Sequence, residues 1–110
     1  MADFIKVCGE NDLVENSGVA ALIDDQQLAL FYIDSQVYIT SNTDPIREAE
    51  VMSRGMVGDR DGELFVASPL HKECYSLISG VCLDKEGYSL SIFPGKIEDG
   101  FVWVDMHAKV

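Results

Sequence analysis

The sequence predicts a small all-β sandwich or barrel, and three observations predict it. Apolar runs of four to six residues recur along the chain, spaced roughly every 8 to 12 residues as in small β domains. The breaks between them carry Asp- and Gly-rich turn signals. No segment sustains helical periodicity beyond a turn or two.

The elements follow in order. "FIKV" (4–7) predicts the first strand, and "NDLVENSG" (11–18) holds at most a single helical turn. "VAALI" (19–23) and "LALFYI" (28–33) are strands separated by Asp24-Asp25-Gln26, and "VYIT" (37–40) follows Asp34-Ser35-Gln36. "PIREAEVMSRG" (45–55) has proline near its start, early acids and a terminal glycine, which is helix start-and-stop chemistry. Its length allows a turn or two. "ELFVA" (63–67) follows Asp61-Gly62, a strong hairpin signal. "YSLSIF" (88–93) alternates polar and apolar residues as a half-buried strand does, and "FVWV" (101–104) follows the hairpin signal Glu98-Asp99-Gly100. Residues 106–110 are expected to fray. There is no repeat, linker or low-complexity tract, so residues 1–110 read as one domain.

Composition narrows the function classes. Apolar residues make up 47% and aromatic residues 9%, a globular composition. No run approaches the roughly 18 apolar residues of a membrane span, and the first ten residues lack the apolar core of a secretory signal. A cytoplasmic location is expected. Nineteen acids against eight bases give a net charge of −11, which argues against nucleic acid or an anionic membrane as partner, because binding phosphate needs a basic face. Three cysteines, Cys8, Cys74 and Cys82, form an odd set with apolar neighbours. They read as buried, reduced thiols rather than a disulfide framework.

Candidate chemistry is sparse. His71 and Cys74 have a workable ligand spacing, but a zinc site wants two such pairs, so no metal is expected. "DRDGE" (59–63) lacks the length and glycine position of a calcium loop and reads as a hairpin tip. Ser68 and His71 share a turn without an orienting acid, so nucleophilic catalysis is not supported. No phosphate-binding glycine pattern occurs. His71 reads as a solvent-facing turn residue, and His107 as incidental.

Two segments carry a resemblance. "SNTDP" (41–45) and "SPLHKECYSLISGVCL" (68–83) resemble the two cluster-binding loops of Rieske-type ferredoxin domains, in which the first loop carries Cys-x-His and the second Cys-Pro-x-His. The frame is kept at Pro69, His71, Tyr75-Ser76-Leu77 and Ser79-Gly80. By that resemblance, Asn42, Asp44 and Ser68 stand at ligand positions, and His71 alone matches a ligand. A [2Fe–2S] centre of this type needs two thiolates and two imidazoles, so the resemblance implies a Rieske-like ferredoxin fold without its cluster. More closely, Ile39-Thr40-Ser41-Asn42, Asp44-Pro45, Ser53-Arg54-Gly55 and Gly62 through Leu77 resemble the small-subunit (NirD) family of bacterial NAD(P)H-dependent nitrite reductases, over nearly the whole chain.

That resemblance implies a cytoplasmic accessory subunit without an active site or cofactor of its own. Its partner would be a large subunit carrying FAD, a [4Fe–4S] cluster and sirohaem, which takes nitrite to ammonium. The alternative is a stand-alone Rieske-like binding module with an unrelated partner. Two expectations concern the loops. Hydrogen bonds from Asn42, Asp44 and Ser68 should replace the metal bridge. The partner-facing tip should comprise Asn42, Asp44, Pro45, Arg54, Ser68, Pro69, Leu70 and His71, with rigid prolines lowering the ordering cost of binding; the alternative is that Leu70 packs inward and the partner uses an exposed sheet edge.

Overall fold

The structure is a computed structural model that describes residues 4–70 and 72–106. In these residues ten strands run in the order β1 (Phe4–Gly9), β2 (Ser17–Ile23), β3 (Gln26–Ile33), β4 (Gln36–Ser41), β5 (Met56–Arg60), β6 (Glu63–Ala67), β7 (Cys74–Ser76), β8 (Ile92–Phe93), β9 (Gly95–Glu98) and β10 (Phe101–Asp105). Among the described residues the helical segments are single 3-10 turns, Glu10–Asp12 and Met52–Arg54. The all-β expectation is met.

Tight turns set the local order. Ile23 pairs with Gln26, Ile33 with Gln36, Arg60 with Glu63, and Glu98 with Phe101. Each pair leaves a two-residue loop beginning with Asp. The central residues all have positive φ: Asp24 and Asp25 (49° and 65°), Asp34 and Ser35 (50° and 64°), Asp61 and Gly62 (52° and 88°), Asp99 and Gly100 (55° and 79°). These turns match the right-handed twist of the strands they join, and Asp tolerates the left-handed region better than most residues.

The strands form three antiparallel sheets, ordered β1-β10-β9, β2-β3-β4-β8 and β5-β6-β7. β3 lies between two cores, which is why "LALFYI" lacks a polar face. Leu28 and Leu30 point with Ile39, Phe93, Val102 and Val104 into one core. Ala29, Phe31 and Ile33 point with Met52, Val66, Tyr75 and Leu77 into the other. Alternate side chains of a strand leave opposite faces, so one strand serves both. The second core clamps the β5–β7 sheet onto the back of β3 and brings the two long loops, 42–55 and 68–73, to the same end.

Two readings need correction, and β5 and β9 are strands that no reading named. The "YSLSIF" stretch is a ladder only at Ile92–Phe93, which pairs with Thr40 and Ile39. Upstream, Leu90 N–H donates to the Gly80 carbonyl (2.7 Å), and Ser89 bridges Val81. The alternation therefore reports one buried face shared between two neighbours. β5 was not read as a strand at all, because "MVGDR" has no alternation; its Gly58 makes room for the Phe65 ring, which a β-carbon would approach to 2.7 Å. Of the three free thiols, Cys74 and Cys82 are buried, but Cys8 is only half-buried. The expected fraying at 107–110 lies outside the described residues.

Phe31 is fully buried at the centre of the second core. Phe31→Ala should therefore lower stability by about 3–5 kcal/mol, read as a shift in the urea midpoint with little change in slope. A loss below about 1 kcal/mol would mean that this core does not hold the third sheet.

Candidate functional site

The site is built from the end of β4 outward. Asn42 follows β4, and its backbone N–H donates to the Gln27 carbonyl (3.0 Å) while its own carbonyl accepts from Met52 N–H (3.0 Å). Its side-chain oxygen accepts from Ser53 N–H (2.6 Å), and its amide donates to Gln27 Oε1 (3.1 Å). Asn42 thus ties the start of β3 to the 52–53 turn from a buried position.

Asp44 is fully buried. Its Oδ1 accepts from the backbone N–H groups of Ile46 (2.8 Å) and Arg47 (3.1 Å), an Asx-type turn around Pro45. Its backbone N–H donates to the Ala49 carbonyl (2.8 Å), and its carbonyl accepts from Glu48 N–H (2.7 Å). Its other oxygen, Oδ2, accepts a short hydrogen bond from the Ser68 hydroxyl, 24 residues away. That bond joins the two loops directly. Burial pulls the Asp44 carboxyl upward, but the Ser68 hydroxyl and the two amides outweigh it and leave the group below its ordinary value of 3.8.

Ser68 closes the second loop from the other side. Its N–H donates to the Glu73 carbonyl (2.9 Å), its carbonyl accepts from Lys72 N–H (2.9 Å), and its Oγ accepts from Leu70 N–H (3.3 Å). Beneath the bridge lies Tyr75, fully buried, whose hydroxyl has no hydrogen-bond partner among the described residues. Burial first, and then the nearby Asp44 charge, push its phenol far above the ordinary range.

This geometry divides the expected tip. Asn42, Asp44 and Ser68 are 2%, 0% and 1% exposed, so they cannot form the partner-facing surface. Their polar groups were bound to find partners inside, and did. Pro69, Leu70 and Arg54 are exposed, and Pro45 is half-buried. His71 and His107 lie outside the described residues. The buried Tyr75 hydroxyl had no signal in the sequence.

The comparisons with known proteins fit this frame. The Rieske-like [2Fe-2S] domain family matches residues 3–105. The nitrite reductase (NADH) small subunit of Escherichia coli K12 is 38% identical over 104 residues, covering 93% of this chain and 96% of that one. The chain belongs to the nitrite reductase small-subunit family, within the Rieske-like domains. The NMR structure of the E. coli protein NirD superposes with a TM-score of 0.86 at 35% identity, covering 98% of this chain and all of that one. A nitrite reductase [NAD(P)H] large subunit from Klebsiella oxytoca also matches, 38% identical over 98 residues that span 89% of this chain but 10% of that protein.

The family name raises the question of a [2Fe–2S] cluster. The side chains at Asn42, Asp44 and Ser68 offer an amide, a carboxylate and a hydroxyl, none of them a thiolate or an imidazole. Their polar atoms are already committed to backbone amides and to one another. This donor set does not fit a cluster that requires two thiolates and two imidazoles.

Ser68→Ala leaves Asp44 Oδ2 buried without its donor and should cost about 1–3 kcal/mol at neutral pH. The pH dependence follows from the direction of the Asp44 shift. A carboxyl held below its unfolded value adds stability above pH ~4, and that stability is lost as pH falls through the folded value. Removing the Ser68 donor raises the folded value, so the gap between wild type and Ser68→Ala should narrow as the pH is lowered below ~4, through the folded values. Urea titrations at several pH values would check this; a gap independent of pH would mean that Asp44 is not the group responding.

Proposed function

We propose that this chain is the accessory small subunit of a cytoplasmic NAD(P)H-dependent nitrite reductase. It carries no iron–sulfur cluster and acts by docking on a large catalytic subunit. The redox groups, FAD, a [4Fe–4S] cluster and sirohaem, belong to that large subunit. The observation that carries this reading is the Asp44–Ser68 bridge, because it closes the two loops with hydrogen bonds where the resemblance places metal ligands. A chain built this way keeps the shape of an electron carrier's tip while transferring no electrons, which leaves binding as its contribution.

The K. oxytoca relative supports the partner. There a segment similar to most of this chain forms part of a protein named as the large subunit itself. Tethering of that kind is favoured when two parts work in contact. Among the described residues no helix is long and apolar enough to cross a membrane, which accords with a subunit of a soluble enzyme. The docking surface is the exposed part of the tip, Pro69, Leu70 and Arg54. Leu70 is 45% exposed, and an apolar side chain held on a rigid turn is a low-entropy anchor.

The test is co-purification with the large subunit from the same source, followed by nitrite-dependent NAD(P)H oxidation. Leu70→Asp should weaken association by about tenfold and leave the isolated chain folded. Anaerobic treatment with iron and sulfide should leave the chain colourless. A stoichiometric cluster with a Rieske-type EPR signal would overturn the cluster-free reading, and wild-type affinity of Leu70→Asp would move the interface elsewhere.

A further inference from the structure

Four of the seven Lys and Arg side chains among the described residues are committed. Arg60 pairs with Asp84 at 3.2 Å, and Lys96 with Glu98 at 3.2 Å. Lys6 lies 4.1 Å from the centre of the Phe101 ring, and Lys85 lies 5.6 Å from that of Tyr88. Arg47 is exposed and also lacks an ion-pair or ring partner among the described residues, but Arg54 and Lys72 share a cleft. Both are exposed, and neither has an ion-pair or ring partner among the described residues. On a chain of net charge −11, with acids on most of its turns, two uncommitted cations side by side are the exception.

They line the same cleft, of about 260 Å³, whose other walls are Met56, Ala67, Pro69 and Ser68. The Ser68 hydroxyl is already engaged with Asp44, so the cleft offers apolar walls between two positive charges. Met56, at its edge, is 74% exposed. The positions are fixed from both sides. Gly55 packs so closely on β6 that a β-carbon there would collide with the Ala67 carbonyl oxygen, which sets Arg54 and Met56 against Ala67. Lys72 is held at φ 65° with its N–H on the Ser68 carbonyl (2.9 Å).

We infer that this cleft receives an acidic side chain with an apolar neighbour, presented by the large subunit. The carboxylate lies between the Arg54 guanidinium and the Lys72 ammonium, and the apolar neighbour packs on Met56, Ala67 and Pro69. This rests on the small-subunit reading above and adds the chemistry of the partner. Charge complementarity selects the occupant. An extended polyanion, a nucleic acid or an anionic membrane, would reach beyond the pair onto a chain of net charge −11. A free inorganic anion would leave the apolar walls unused. A second copy of this chain would bring another −11 charges toward the first.

The experiment is calorimetric titration of the full chain into the large subunit at about 50 mM and about 500 mM salt, which spans weak and strong screening. Arg54→Glu with Lys72→Glu should weaken binding by roughly tenfold or more at low salt, with a smaller deficit at high salt. Arg54→Gln with Lys72→Gln should weaken it less, in the same direction. Met56→Asp should weaken it at both salt concentrations. Lys96→Glu, on β9, should bind like wild type. Near-UV circular dichroism identifies any variant that has lost its fold.

If both double variants bind within twofold of wild type, the cleft is not the acidic partner's site, although the small-subunit reading stands. If the wild-type chain does not bind the large subunit at all, that reading fails and takes this inference with it. If sedimentation shows a dimer of the chain alone that the charge reversals disperse, the occupant is a second copy and the acidic-partner assignment is overturned.

Discussion

The tip depends on the placement of one buried carboxylate. Asp44 has no exposure, and an ionised carboxyl taken out of water costs several kcal/mol unless its oxygens are satisfied. Two backbone amides from its own loop and one hydroxyl from the other loop satisfy them. The first two bonds are local and would form in any Asx turn. The third requires the β5–β7 sheet to be already docked on the back of β3, which makes Asp44 a reporter of tertiary structure as well as part of it. A single hydrogen bond to a charged group contributes about 1.5–3 kcal/mol, whereas burial of Phe31, Met52 and Val66 in the core beneath contributes more. The core therefore brings the loops together, and the carboxylate fixes how they meet.

The same reasoning explains why a chain of 110 residues can spend buried polar groups at its tip. With β3 buried on both faces, one eight-residue strand supports two cores. Close contacts at Gly18, Gly58 and Gly95 let Phe31, Phe65 and Ile39 lie flush against neighbouring backbone. A small domain lacks the volume for a thick single core, and sharing a central strand is one way round that limit.

How much of this was legible in the sequence follows from the range of each interaction. The four Asp-led turns were legible because their chemistry is confined to adjacent residues, Asp24-Asp25, Asp34-Ser35, Asp61-Gly62 and Asp99-Gly100. The strands β3 and β4 were legible because their apolar runs are long. The 88–93 stretch misled because alternation reports a buried face, and the neighbours of that face are set by Gly80 and Thr40, far away in sequence. β5 was hidden because its partners do the burying. The loops were legible through resemblance, and the residues meant to bridge them do take part, yet burial of Asn42, Asp44 and Ser68 removes them from the surface where the sequence placed them. That burial arises from a contact across 24 residues, which no local pattern encodes. Lys72 was passed over for the same reason: only the folded chain puts it opposite Arg54.

Charge adds a constraint on how such a tip is used. An acidic domain repels an acidic partner over most of its surface, and repulsion at wrong orientations contributes to specificity as much as attraction at the right one. Here the paired or ring-stacked cations, Arg60, Lys96, Lys6 and Lys85, are neutralised or shielded where they stand. Among the described residues, Arg54 and Lys72 are two unpaired cations that line one cleft, on a chain of net charge −11. An approaching acidic segment would thus be turned away from the sheet faces and accepted at one end, the end where Leu70 and Met56 expose apolar surface. Electrostatics of this kind governs the encounter rate and the orientation more than the final affinity, and the proposed apolar contacts at Leu70 and Met56 would then set how long the complex lasts. For the docking role proposed above, this arrangement matters because the subunit's effect on a partner would depend on where, and how long, it is bound.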